Sequence, residues 1–191
     1  MVETKELLAD PAIVEKIVGG DKEAFALLVE RYQKGLINFI YHMVGHYEEA
    51  VELTQDVFIK VYVNIATYDK NFKFSTWLYR IASNCTIDHL RRRDPMAASL
   101  DERDEDDNLC IEPASHDLGP HDLLEQKQLE KEIVKSISEL SPLQRELIVL
   151  RHIHYRSYEE IAKITSLPIG TVKNRIFRAR KQLMERLRDK R

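Results

Sequence analysis

The 191-residue sequence predicts an all-α protein: two small helical domains joined by a flexible acidic linker, the C-terminal domain a helix-turn-helix. Three observations predict it. Apolar residues recur at three- and four-residue spacing over most of the chain, with no strand-rich segment and no internal repeat. Residues 95–121 carry eight acids against the single base Arg103, and three of the six prolines (Pro95, Pro113, Pro120). Such a stretch has too few aliphatics to bury and is expected to stay extended or disordered. Finally, a capped short helix, a turn and a basic helix close the chain, with nine bases against two acids over residues 171–191.

The expected boundaries are 12–94 and 122–191 for the helical blocks, with 95–121 between them. A hydrophobic content of 43% suffices for one medium core or two small ones. No apolar run approaches the roughly 18 residues of a membrane helix, so no membrane insertion is expected. The N-terminal "MVETKELLADPAIVEK" carries acids and no apolar core, unlike a secretory signal. Cys85 and Cys110 cannot make a zinc site and read as reduced cytoplasmic thiols. The seven histidines and the carboxylates form no metal or nucleophile constellation, so no cofactor, metal or catalytic residue is expected.

In the first block, Asp21 can cap a helix carrying Phe25, Leu28, Val29, Tyr32, Leu36, Phe39, Ile40 and Met43 at helical spacing, and Gly45 ends it. A second helix carries Val51, Val57, Phe58, Val61, Tyr62 and Ile65. After the loop "DKNFKFS" comes a third, "TWLYRIASNCTIDHLRRR", with Ser75 as the expected cap. The second block opens with the amphipathic "LLEQKQLEKEIVKSISEL". Ser141, Pro142 and Gln144 then mark one helix start, and Ser157 with Glu160 marks another by the capping-box pattern.

The last helix has an apolar stripe of Val172, Ile176, Ala179, Leu183 and Leu187. Leu167 and Ile169 are expected to plug the corner before it, and small Ala162 to allow close approach. Opposite the stripe lie Asn174, Arg178 and Lys181, with Thr171 and Phe177 beside them and Lys173, Arg175 and Arg180 on the flanks. A merely solvated helix would place acids among these bases for pairing along the helix. None occurs before Glu185, so phosphates are the expected counter-charge. The face suits major-groove DNA, with Arg178 placed to donate to guanine.

In the third helix, Leu78, Ile81, Ala82 and Cys85 read as core. Trp77, Arg80, Asn84, Asp88 and Arg91 form a neighbouring stripe. Half-buried packing is one account of Trp77. The other joins the stripe to Tyr68, Phe72, Lys73 and Phe74, an aromatic and basic mixture suited to unstacked bases of a single strand. The three arginines at 91–93 would hold backbone phosphates. In the second helix, Gln55, Asp56 and Lys60 alternate with Val57, Phe58 and Val61, a pattern that a plain amphipathic core helix explains equally well.

Together, "AVELTQDVFIKVYVNI", "FKFSTWLYRIASNCTIDHLRRR", the acidic stretch and "LSPLQRELIVLRHIHYRSYEEIAKITSLPIGTVKNRIFRARKQL" resemble the extracytoplasmic-function (ECF) sigma factors of bacterial RNA polymerase over residues 20–187. Within that family the chain is similar to the group responding to cell-envelope stress. The resemblance implies that Gln55, Asp56, Val57, Phe58, Lys60 and Val61 dock on the β′ coiled coil of core polymerase. It implies that Tyr68, Phe72, Lys73, Phe74, Ser75, Thr76, Trp77, Arg80, Asn84, Asp88, Arg91 and Arg92 recognise and melt the −10 element, with a flipped base held by the loop. It implies that Thr171, Lys173, Asn174, Arg175, Phe177, Arg178, Arg180 and Lys181 read the −35 element, while their block also rests on the β flap. The acidic linker would thread toward the active-site and RNA-exit channels. An anti-sigma factor is the further implied partner, with a cytoplasmic location held near the membrane by it. The chain departs at Ala50-Val51-Glu52, where the family often has Ala-Glu-Asp, so one acidic polymerase contact does not carry over.

The rival reading is a duplex-binding helix-turn-helix regulator that is not a polymerase subunit. Such a protein would have no use for the 72–93 segment. An enzyme with a helix-turn-helix appendage would need a catalytic signature that the sequence lacks.

Overall fold

The computed structural model describes residues 8–94 and 134–188. The expected acidic linker and most of the amphipathic 123–140 segment lie outside the described residues. Every regular element among the described residues is helical. The chain divides into two compact units, the main division falling at His89–Leu90, with Lys163–Thr165 grouped with the first.

The first unit opens with a helix that the sequence reading did not anticipate, α1 (Asp10–Val18). Pro11 sits in its first turn, where a missing N–H costs nothing, and Ile13, Val14 and Ile17 are buried. Arg31 and Tyr32 both bind the Asp10 carboxylate, tying α1 to the next helix. Asp21 accepts the Ala24 N–H at 3.2 Å and starts a 3-10 turn that runs into α2 (Phe25–Val44). Gly45, at φ 84°, ends α2 in the left-handed conformation that glycine adopts without a Cβ penalty. Next come α3 (Tyr47–Asn64), a 3-10 turn (Ile65–Thr67) and α4 (Phe74–Arg93).

Helix α4 starts at Phe74, so Ser75 lies inside the first turn and is not the cap. The Lys73 carbonyl accepts the Thr76 and Trp77 amides at 3.0 and 3.4 Å. Phe74 is 2% exposed and its ring contacts those of Tyr32 and Tyr68, which anchors the helix start two residues before Thr76. The core joins Leu36, Phe39, Ile40 and Met43 of α2 to Ala50, Val57 and Val61 of α3 and Leu78 and Ala82 of α4. Tyr79 packs edge-on against Phe39, and its hydroxyl lies 3.0 Å from where a Cβ on Gly35 would sit. That close approach accounts for a glycine in the middle of α2.

The second unit contains α5 (Pro142–Ile148), α6 (Tyr158–Thr165) and α7 (Ile169–Arg188). Ser141 caps α5 by accepting the Gln144 N–H at 3.4 Å. A π turn (Val149–Ile153) extends α5. Ser157 and Glu160 form both halves of a capping box at α6, each bond 3.1 Å. Ser166, at φ 59°, ends α6, and the turn to α7 is only Ser166–Pro168. Ile169 is 41% exposed and does not plug the corner. It is the first residue of α7 and faces out, while Val172 takes the inner position. Ile161, Ile164, Val172, Ile176 and Ala179 form the buried seam.

Candidate nucleic-acid interface

The loop between α3 and α4 is fastened from within. The Tyr68 hydroxyl donates to the Phe72 carbonyl at 2.6 Å, and Asp69 accepts the Asn71 amide at 2.9 Å. Burial, with Asp10 and Asp69 nearby, pushes the Tyr68 phenol above its ordinary range, so it stays a donor. Tyr68, Phe74 and Trp77 lie 5.3–5.6 Å apart, centre to centre, as a three-ring cluster. Tyr68, Phe74 and Thr76 are buried and Ser75 is half-buried. Tyr68 and Phe74 pack inside the loop and shape it. Phe72, Lys73, Arg80, Asn84, Asp88, Arg91 and Arg92 are exposed. Trp77 is half-buried, one side in the ring cluster and another on a cavity.

That cavity, of about 290 Å³, opens between α3 and α4. Trp77 and Ile81 give it an apolar wall. Lys60, Asn64, Asn84 and Asp88 supply donors and acceptors, while Thr67 and Cys85 also line it. Its size and mixed lining fit a planar base with a polar edge. Asn84 and Asp88 were legible as an α4 stripe. Asn64 and Thr67 were not, because their part in the site exists only once α3 packs on α4.

On α3, Val57, Phe58 and Val61 are 0–8% exposed and lie in the core. Helical phase turns Gln55, Asp56 and Lys60 outward instead. Between them stand Ile59 and Val63, 62% and 73% exposed, which the sequence reading had not singled out.

On α7, Phe177 and Lys181 are exposed, while Thr171, Lys173, Asn174, Arg175, Arg178 and Arg180 are half-buried. The Lys173 ammonium lies 5.5 Å from the Tyr158 ring centre, and the Arg151 guanidinium 4.6 Å from it. One ring at the start of α6 therefore gathers two cations beside α7. His152 on the π turn is held below its ordinary range by burial and by Arg180 and Arg151. No acid stands in the first turn of α7. The face can bind a polyanion through cations and touch base edges through Phe177 and its neighbours.

Comparison with known proteins decides the family. Residues 28–95 match the family described as Sigma-70 region 2, and residues 130–183 match Sigma-70, region 4. The ECF RNA polymerase sigma factor SigW of Bacillus subtilis is 38% identical over 178 residues, covering 92% of this chain and 95% of SigW. The sigma-E factor of Escherichia coli K12 is 33% identical over 180 residues, covering 93% and 94%. This chain belongs to the ECF sigma factors. Among solved structures, CnrH in complex with the cytosolic domain of CnrY shares the fold, with a TM-score of 0.69 and 24% identity over 95% of this chain and 99% of CnrH. The sigma factor RpoE from Bartonella quintana, solved with the anti-sigma factor NepR, gives 0.63 and 27% over 88% and 99%. This ECF sigma factor therefore directs promoter-specific initiation by bacterial RNA polymerase, and the free-standing regulator is set aside. No helix among the described residues is long and apolar enough to cross a membrane.

Proposed function

We propose that this sigma factor opens promoters by capturing an unstacked −10 base in the α3–α4 cavity. The carrying observation is a cavity with an aromatic wall and amide edges, beside a loop closed by the Tyr68–Phe72 hydrogen bond. Phe72 and Lys73 would meet the displaced strand, and Arg80, Arg91 and Arg92 its phosphates. On α7, Phe177, Arg178, Asn174, Thr171 and Lys181 would read the −35 major groove, while Lys173, Arg175 and Arg180 grip phosphates.

The domain assignment that goes with this reading is 12–94 for polymerase binding and −10 melting, 95–121 as an acidic tether, and 122–191 for −35 recognition. Helix α1 starts two residues before the first boundary. The exposed α3 stripe of Gln55, Asp56, Ile59, Lys60 and Val63 is the face for the β′ coiled coil, and the C-terminal unit rests on the β flap. An anti-sigma factor covers these faces until an envelope signal releases them; the related RpoE was solved with the anti-sigma factor NepR. The sigma factor works in the cytoplasm, near the membrane where its anti-sigma factor is anchored, and performs no chemistry itself.

Run-off transcription with core polymerase tests the proposal on a promoter found by mapping start sites after overexpression. Wild type gives one promoter-specific product. Asn84→Ala loses permanganate reactivity at −10 while −35 duplex binding persists. Unchanged opening in that variant contradicts base capture.

A further inference from the structure

A chain of contacts joins helix α1 to the Trp77 wall of the α3–α4 cavity. It begins at the Asp10 carboxylate in the first turn of α1. That carboxylate accepts hydrogen bonds from Arg31 and, at 2.5 Å, from the Tyr32 hydroxyl. Arg31 supplies the counter-charge and also donates to the Leu8 carbonyl at 2.9 Å, fixing the chain just before α1. The Tyr32 ring lies 5.6 Å, centre to centre, from the Phe74 ring. Phe74 in turn lies 5.3 Å from Tyr68 and 5.6 Å from Trp77. A tyrosine pinned at its hydroxyl and packed on its ring cannot swing to another rotamer, so the ring beside it is held as well. Helix α1 also meets the loop directly. It packs on the 3-10 turn Ile65–Thr67, and Glu15 accepts a hydrogen bond from Lys70 at 2.5 Å. That exposed pair contributes little stability by itself, but it brings a second point of the loop to the same helix.

We propose that Asp10 is a positioning residue for promoter opening: through Tyr32 and Phe74 it sets the place of Trp77 and of the Tyr68 loop. Its charge has the wrong sign for a phosphate contact, so its effect passes through these neighbours. The role rests on the base-capture reading, which puts the opened strand at Trp77 and the loop.

The test uses the full chain with core polymerase. Trp77 is the single tryptophan of the sequence, so its fluorescence reports the ring cluster directly. Asp10→Asn keeps the size of the side chain, and Tyr32→Phe keeps the ring against Phe74. Well below the thermal midpoint, each is expected to raise acrylamide quenching of Trp77. Each should also slow permanganate-detected opening about fivefold, the effect of one lost hydrogen bond. The double variant is no slower than either single one, because both cut the same link. Binding to the −35 duplex and to core polymerase does not change. Ile40→Val, a change in the buried core of α2, lowers the thermal midpoint but leaves Trp77 quenching and opening as in wild type. Normal quenching in Asp10→Asn, or normal opening by it when Asn84→Ala is defective, overturns the proposal. So does an equal opening defect in Ile40→Val, since loss of stability would then account for both. Additive losses in the double variant overturn the route through Tyr32. If Asp10→Asn and Asn84→Ala both open normally, the base-capture reading fails, and the positioning role with it.

Discussion

The Tyr68 hydroxyl donates to the Phe72 carbonyl at 2.6 Å, closing the loop between the second and third long helices of the first unit. One buried side chain thereby spans the loop whose exposed Phe72 faces solvent. Tyr68→Phe keeps the ring cluster and removes only this bond. It should cost about 1 kcal/mol, read as a lower thermal midpoint. Promoter opening should fall, with −35 duplex binding unchanged. Full opening by a destabilised Tyr68→Phe would separate the bond from function.

Among the described residues, Tyr155 and Ser166 are the non-glycine residues with positive φ, at 51° and 59°. Tyr155 is 85% exposed, so its ring offers little packing to offset the strain. Tyr155→Gly and Ser166→Gly should each stabilise the fold by up to about 1 kcal/mol, measured by denaturant unfolding. Destabilisation by Tyr155→Gly would mean that the backbone is not strained there.

Ser157→Ala removes one half of the capping box at the start of the helix-turn-helix. A loss of about 1 kcal/mol is expected, with Glu160→Ala costing less in that background than in wild type. A double-mutant cycle checks the coupling.

His152 sets a pH dependence. Its folded pKa lies below the ordinary 6.5, so around and below that value the unfolded chain binds more protons than the folded one. Stability of the second unit should therefore rise with pH through this window and fall on acidification. The imidazole is partly exposed, which keeps the effect small. In His152→Gln the slope flattens, as urea midpoints at pH 5.5 and 7.5 would reveal. An unchanged slope would remove His152 as the cause.

Much of this was readable from spacing and end signals. Asp21, Gly45 and the Ser157–Glu160 box fall where the helices begin and end, because caps are local chemistry. Helix α1 escaped because nine residues with three buried positions give a weak period. On α3 the spacing did not show which apolar residues face out: Val57, Phe58 and Val61 turn inward, while Ile59 and Val63 are exposed. The burial of Phe74 was not legible, because it comes from a tertiary contact with Tyr32. The cavity was legible from one wall alone, since residues 60–67 and 77–88 meet through packing between helices.

On the other unit, Arg178→Ala should cost about 1–3 kcal/mol and relax specificity at one base position. Equal loss on every sequence would make Arg178 a phosphate contact.

Base capture is tested most directly with a single-stranded −10 oligonucleotide in which 2-aminopurine replaces one base at a time. The account predicts a large fluorescence change at one position, abolished by Asn84→Ala and reduced by Trp77→Ala in a folded protein. Equal responses at every position, or a single-position response that survives Asn84→Ala, would contradict it.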